Sequence, residues 1–141
     1  MLFPHLKTLI ESIQVNLPAK ASVNSADEDG TGINLASVDQ YHSGLVLCAI
    51  GAATGTPSAV SVAFTLEHSD DDSTYTTATD VNGDNAVLTL TGTSATSGTI
   101  DIFPNQLKQY VRLNRTVALT GGTSPTVPTV GMILLGAGRT V

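Results

Sequence analysis

Three consecutive aspartates, Asp70, Asp71 and Asp72, first raise the question of a metal site in this chain. Clustered carboxylates are the ligands that a hard cation such as calcium prefers. Consecutive side chains of an extended segment point in opposite directions, so three in a row seldom converge on one ion. Short polar residues also favour turns. The run therefore favours a solvated hairpin turn over a calcium site.

A second acidic segment, residues 80–84, has the sequence Asp-Val-Asn-Gly-Asp, which is similar to the start of an EF-hand calcium loop. That loop requires glycine at its sixth position and glutamate at its twelfth. Asn85 and Thr91 occupy those positions here. The segment therefore does not predict a calcium site, and we expect no metal ion in the protein.

The histidines and the cysteine lack the spacing of a catalytic or metal site. His5, His42 and His68 stand far apart, without the paired spacing of zinc ligands. We expect His68 at the margin of the core, because it follows Leu66 by two residues and should face the same side of the strand. Cys48 is the only cysteine, which excludes a disulfide within the chain. It lies in an apolar run and is predicted to be a buried small hydrophobe.

Common catalytic motifs are missing from the sequence. The chain has neither a glycine-rich phosphate loop nor a Gly-x-Ser-x-Gly nucleophile motif. Two carboxylates can hydrolyse a glycosidic bond, but sugar sites usually also offer aromatic rings. The chain contains no tryptophan, and aromatic residues make up 4% of it. We therefore expect neither an enzyme nor a cofactor.

Two arginines are candidate contacts with a partner. Arg115 interrupts a set of alternate apolar residues that should face the core, namely Val111, Leu113, Val117 and Leu119. A buried unpaired charge is very costly. Either a bulge turns Arg115 outward, or its side chain meets an acidic group. Arg112 lies on the opposite face, and together the two could form salt bridges between subunits or remain solvated.

The strand pattern is clearest in residues 59–75. Val60, Val62, Phe64 and Leu66 alternate with more polar residues, a period of two that is typical of a strand with one buried face. Polar turn residues and a second extended run, residues 74–79, follow. This arrangement predicts a hairpin near the middle of an all-β domain.

Further segments predict strands at residues 33–38, 44–50, 86–91, 99–103, 109–119 and 127–135. Residues 44–50 are apolar at nearly every position, as expected for a central strand buried on both faces. Pro128 favours a strand edge or a bulge near the start of the last strand. About seven or eight strands separated by turns predict an antiparallel sandwich or barrel.

The N-terminal residues have a different pattern. Apolar residues recur at helical spacing among polar ones, at Leu2, Phe3, Leu6, Leu9, Ile10 and Ile13. We predict a short amphipathic helix or arm over residues 4–13 that docks on its own subunit, a neighbouring subunit or a capsid. Residues 16–31 are polar and are interpreted as a linker. The predicted division is an arm and linker at residues 1–30 and a β-sandwich at residues 31–141.

Composition excludes some classes of partner. The net charge is −6, and the six basic residues are scattered along the chain. Binding to nucleic acid needs clustered Lys and Arg, so direct contact with DNA is not expected. The longest near-apolar run, residues 44–53, is too short for a membrane helix, which needs about 20 residues. Charged residues make up only 13% of the chain, which favours a surface that meets other proteins.

The order of the strand and turn motifs carries a family resemblance. An apolar strand, a Gly/Thr/Pro turn and an alternating strand that ends in Ser-Asp-Asp occupy residues 44–53, 54–58 and 59–72. A Thr/Tyr-rich return, a Lys-Gln-Tyr-Val-Arg-Leu strand, a Thr-Gly-Gly-Thr turn and a last apolar strand follow at residues 73–79, 108–113, 119–124 and 127–136. Over residues 30–138 this order resembles the capsid decoration (cement) proteins of tailed bacteriophages.

The resemblance implies a jelly-roll-like β-sandwich, preceded here by a short N-terminal helix or arm. It implies a virion structural protein that is made in the host cytoplasm and located on the capsid exterior. Such a homotrimer would bind the major capsid protein and bridge adjacent capsomers. The predicted partner-binding residues are Leu2, Phe3, Leu6, Leu9, Ile10, Ile13, Arg112 and Arg115. The alternatives are a tail or head-fibre accessory domain and a carbohydrate-binding β-sandwich module.

Overall fold

The computed structural model describes residues 10–37 and 41–137. Its strands are β1 (Ile10–Ser22), β2 (Ser25–Asp29), β3 (Ile33–Asn34), β4 (Tyr41–Ile50), β5 (Ala59–Ser69), β6 (Thr76–Thr77), β7 (Val87–Thr91), β8 (Thr96–Ile102), β9 (Tyr110–Thr120) and β10 (Val127–Ala137). Two short 3-10 helices span Leu35–Ser37 and Pro104–Gln106. The prediction of an all-β protein is confirmed.

The strands form two antiparallel sheets. Sheet A has the order β1-β10-β4-β8. In sheet B, β9 and β5 are the inner strands; β2 and β3 pair with β9, and β6 and β7 pair with β5. The first and last strands are neighbours, and the chain crosses between the sheets at most of its connections. This is the double-sheet order of a jelly roll, which confirms the predicted sandwich.

The core lies between the two sheets and follows from the period of two. On β5, Val60, Val62, Phe64 and Leu66 are buried, and the residues between them are partly exposed. The pairing of β5 with β9 is uninterrupted from Ala59 opposite Thr120 to Ser69 opposite Tyr110. A shift of one residue would turn every apolar side chain of a strand outward, so this alternation specifies the register.

Strand β4 differs from the prediction in one respect. It is an inner strand, between β10 and β8, as predicted. Its burial nevertheless alternates: Val46 and Cys48 are fully buried, whereas Leu45, Leu47 and Ala49 are partly exposed. The continuous apolar run therefore gives one face to the core and one to the outer surface of sheet A.

The predicted N-terminal organisation needs correction. Residues 1–9 of the predicted helix lie outside the described residues, but residues 10–13 belong to β1, which pairs with β10. Residues 16–31, interpreted as a linker, contain most of β1 and all of β2. A domain boundary at residue 30 would separate these two strands from the sheets to which they belong. The helical spacing was misleading because Ile13 and Val15 also fit a strand.

The crossing from sheet A to sheet B is held by the side chains of two asparagines. Buried Asn16 on β1 accepts a hydrogen bond from the Leu113 backbone N–H at 2.6 Å and donates one to the Thr31 carbonyl at 2.7 Å. Asn24 accepts from the Leu119 N–H and donates to the Leu119 carbonyl. These amides supply hydrogen-bond partners for backbone groups of β9 at positions that β2 and β3 do not pair.

Replacing Asn16 by alanine should therefore destabilise the fold. The substitution leaves the buried Leu113 N–H without its partner, which costs about 1–3 kcal/mol. Chemical denaturation monitored by circular dichroism measures the loss. Asn82→Ala in an exposed turn is the control and should have little effect. Equal losses for the two variants would contradict this role for Asn16.

Candidate interaction surface

The buried Arg115 side chain is at the centre of a polar network between the sheets. Only 4% of the side chain is exposed, and its Nε lies 2.6 Å from Oε2 of Glu28 on β2. Its Nη1 donates to Oγ1 of Thr129 on β10 at 2.7 Å. The Thr129 hydroxyl lies 2.8 Å from that of Ser22 on β1. Of the two predicted outcomes for Arg115, the acidic partner is the one observed, since the register of β9 against β5 has no shift.

Glu28 connects this network to the surface. Its second carboxylate oxygen pairs with Lys20, which lies on β1. The hydrogen bonds from Lys20 and then Arg115 hold the pKa of Glu28 below its ordinary value. The two cations therefore keep the carboxylate charged, and Arg115 is neutralised inside its own chain.

Arg112 lies on the outer face of sheet B and also binds groups of its own chain. Its Nε is 2.8 Å from Oε2 of Glu67, and its Nη1 is 3.1 Å from Oδ2 of Asp29. The guanidinium carbon lies 4.0 Å from the ring centroid of Tyr75, a cation–π distance. Burial and the hydrogen bond to Asp72 raise the pKa of Tyr75 to about 12. Arg112 thus joins β9, β5 and β2 to the turn after β5.

The three consecutive aspartates have three different sets of partners. Asp70 pairs with Lys108 at 3.0 Å, and Asp72 accepts a hydrogen bond from the Tyr75 hydroxyl. Asp71 accepts from the backbone N–H groups of Thr74 and Ser73, at 2.8 and 3.0 Å. These bonds, with that from Ser69, hold the pKa of Asp71 below its ordinary value. The run caps a turn, as predicted.

The remaining polar candidates also have structural positions. Cys48 is fully buried, and burial raises the pKa of its thiol to about 12. His68 accepts a hydrogen bond from the Lys108 backbone N–H at 3.4 Å, and partial burial lowers its pKa. Within residues 10–37 and 41–137, no group of three or more His, Cys, Asp or Glu side chains could hold a metal ion. The same residues contain no helix long and apolar enough to span a membrane.

The outer face of sheet A has a different chemistry. Cross-strand pairing places Ile13, Leu134 and Leu45 side by side in one row. The next row holds Val15, Met132 and Leu47. We refer to these residues, together with the third row formed by Val130 and Ala49, as the apolar face.

Exposure of the apolar face is greatest at its β1 edge. Ile13 is 57% exposed and Val15 is 54% exposed, while the members on β10 and β4 are partly exposed. A shallow apolar depression of about 230 Å³ extends the face towards Ala19 and Pro128. Large exposed apolar patches are typical of interaction sites, which makes the apolar face the candidate interaction surface of the described residues.

The outer face of sheet B contrasts with the apolar face. Asn114 and Thr116 of β9 donate hydrogen bonds to the carboxylates of β2: Asn114 to Asp29 at 2.8 Å, and Thr116 to Asp27 at 3.2 Å. The outward positions of β5 include Ser61, Thr65 and Glu67. Apart from Val87, which is 44% exposed beside Thr65, this outer surface is mainly polar and satisfies many of its groups internally, so it is suited to contact with water.

The predicted partner-binding residues therefore occupy different places. Ile13 is on the apolar face, and Ile10 begins β1. Leu2, Phe3, Leu6 and Leu9 lie outside the described residues. Arg112 and Arg115 pair with carboxylates of the same chain, and their predicted contact with a second subunit stays a prediction. Sequence reasoning missed Leu45, Leu47 and Met132, although the continuous apolar runs of β4 and β10 carried the signal.

Comparison with known proteins gives similarity of fold. No protein-family model matches the chain, and no curated protein matches it. The crystal structure of the PBSX exported protein XepA superposes with a TM-score of 0.57 and 13% identity. The match covers 93% of this chain but only 39% of that one. Desmodium yellow mottle tymovirus matches with a TM-score of 0.41 and 14% identity, over 100% of this chain and 90% of that chain.

Replacing Glu28 by glutamine should destabilise the protein because it leaves the buried Arg115 charge without its counter-ion. Breaking a buried pair costs about 3–5 kcal/mol, and the partial exposure of Glu28 should bring the loss to about 1–3 kcal/mol. Urea denaturation measures it. Glu67→Gln at the more exposed Arg112 is the matched control and should cost less. A larger loss at Glu67 would show that the Arg115 network is not the critical one.

The same pair should make stability sensitive to acid. The pKa of Glu28 is lower in the fold than its ordinary value of 4.5, so its contribution is complete above that pH. It is lost as the pH falls from 4.5 through the folded pKa, because over this range the unfolded chain binds a proton at Glu28 that the folded chain still excludes. Urea denaturation of the wild type and Glu28→Gln over this acid range is the measurement. The variant should show a shallower decline, and identical declines would refute the assignment.

Proposed function

We propose that this chain is a capsid decoration protein, a virion structural protein that binds the outer surface of an assembled phage capsid and bridges its capsomers. The observation that carries the proposal is the apolar outer face of sheet A on a jelly-roll sandwich. The order of strand and turn motifs over residues 30–138, which resembles that family, supports it. The mechanism is binding without catalysis, and the major capsid protein is the partner.

Binding alone accounts for the proposed effect on the capsid. A protein that binds the assembled shell and not its separate subunits stabilises the assembled state by mass action. A trimer would multiply weak contacts, because the second and third contacts form at a high effective concentration. Three copies also match three equivalent sites around a local three-fold position. The proposal therefore needs no strong individual contact.

The charge distribution supports a position outside the capsid. The net charge is −6, and carboxylates line β2 and the turns that follow β5 and precede β7. A surface of this sign repels the phosphates of a packaged genome. Arg112 and Arg115, which could have attracted phosphate, are both paired with carboxylates.

The aromatic residues favour decoration over the carbohydrate-binding alternative. Phe64 and Tyr41 are buried, and the guanidinium of Arg112 lies over the ring of Tyr75. Among the described aromatic residues, Phe103 has the most exposed side chain, at 41%. Sugar sites commonly stack a ring face on the ligand, and these rings offer little free face for it.

The test is to mix the purified protein with undecorated heads of a tailed phage. The protein should co-sediment to saturation and raise the temperature at which the heads break open. Heads that already carry a full complement of the protein are the control and should take up no more. No co-sedimentation together with no gain in heat resistance would refute the proposal. Labelled protein found on the tail instead would favour the fibre alternative.

A further inference from the structure

We propose that Asn82 is a site of spontaneous chemical modification, at which the side-chain amide is lost and aspartate and isoaspartate are formed. The reaction consumes only water, so the folded chain converts by itself as it ages. This inference is independent of the proposed function, because it requires neither a capsid nor any other partner.

The sequence around Asn82 favours this reaction. Asparagine is among the thermally labile residues of proteins, and Asn82 begins the only Asn-Gly pair in the chain. The reaction requires the backbone nitrogen of the next residue to approach the asparagine side chain, and a glycine has no Cβ to obstruct that approach. The other asparagines are each followed by a residue with a side chain; they are Asn16, Asn24, Asn34, Asn85, Asn105 and Asn114.

The loop of residues 80–84 presents the pair to solvent. The loop is closed by a bridge between Thr79 and Asn85, and both Asn82 and Gly83 are exposed. Gly83 has a φ of +86°, and a Cβ built on it would meet no atom within 4 Å. The reacting position therefore has open space around it.

The side chain of Asn82 is also free to react. Its backbone N–H donates to Oδ1 of Asp80 at 2.8 Å, but its amide group has no hydrogen-bond partner among the residues that the structure describes. The amides of Asn16, Asn24 and Asn114 are held by the backbone or by a carboxylate. Structure and sequence therefore single out the same asparagine.

The reaction has two steps. The Gly83 N–H leaves the Asp80 carbonyl, to which it donates at 3.1 Å, near the long end of the usual range. Its nitrogen then loses the proton to a base in solution and attacks Cγ of Asn82, while the amide nitrogen takes up a proton and leaves as ammonia. The product is a five-membered succinimide ring. Water adds to one of the two ring carbonyl carbons, the bond from that carbon to the ring nitrogen breaks, and aspartate or isoaspartate results.

The conversion changes the charge and the backbone of the loop. It adds a carboxylate between Asp80 and Asp84, so the chain carries one more negative charge than its −6. Isoaspartate also places an additional atom in the backbone between residues 82 and 83, which disrupts the turn that Asp80 begins. The change should stay local, because Ala78 and Ala86 on either side of the loop are fully buried and hydrogen-bonded to β5.

Ageing of the purified full chain in neutral and in mildly alkaline buffer tests the proposal. Peptide mapping by mass spectrometry locates each converted asparagine, and an isoaspartate methyltransferase labels the isoaspartate product. Conversion should occur first at position 82 and should be faster at the higher pH, because the attacking nitrogen must lose a proton. Isoelectric focusing should show an acidic shift of one charge. Asn85, which is exposed in the same region but precedes Ala86, is the internal control and should remain intact.

Asn82→Gln is the matched variant, because it keeps the amide but would have to form a less favourable six-membered ring. It should fold like the wild type and show no acidic shift over the same period. Two results would overturn the proposal: a folded wild type that does not convert at position 82, whether or not the urea-unfolded chain converts, or equal conversion at Asn82 and Asn85. Thermal unfolding of the aged wild type, followed by circular dichroism, should match that of the fresh protein. A large loss of thermal stability would refute the local nature of the change.

Discussion

Among the residues described, Arg115 is the one charged residue that is buried, and sheet B directs its guanidinium into the sandwich. Its position follows from the uninterrupted pairing of β9 with β5, which gives Arg115 the same inward orientation as Leu113 and Val117. The charge requires Glu28 on β2 and a hydroxyl on β10, and these requirements connect the two sheets. A buried ion pair adds little net stability compared with apolar residues, but it penalises any arrangement that separates its partners. The network therefore specifies how the chain crosses from β1 to β2.

Because the inner faces of the two sheets pack against each other, the two outer faces determine what the molecule can bind. The outer face of sheet B is covered by short polar side chains and by the ion pairs of Arg112. The outer face of sheet A exposes apolar side chains from β1, β10 and β4. The second face exposes more apolar surface, so it gains more free energy when another protein covers it. The difference between the two faces of one sandwich is therefore the physical basis of the proposed binding function.

The period of two made most of the sandwich predictable from the sequence. It identified β5, β8 and β9. It also left two possibilities for Arg115, a bulge that turns it outward or an acidic partner, and the acidic partner is observed. The β1 strand was missed because Ile10 and Ile13 also satisfy helical spacing, and nothing local distinguishes the two patterns. The apolar face was missed because a strand such as β4 has the same sequence whether its second face is covered by its own chain or by another. That distinction depends on tertiary structure, so local sequence alone cannot make it.

Resolving the protein on an assembled virion by electron cryomicroscopy tests the central claim most directly, since a single map shows both its location and the contacts of each face. We predict jelly-roll density outside the capsid shell, with the apolar face of sheet A, centred on Leu47 and Met132, covered by protein. The outer face of sheet B should be open to solvent. Density in which the sheet A face is open to solvent, or in which the protein lies away from the capsid, would contradict the account.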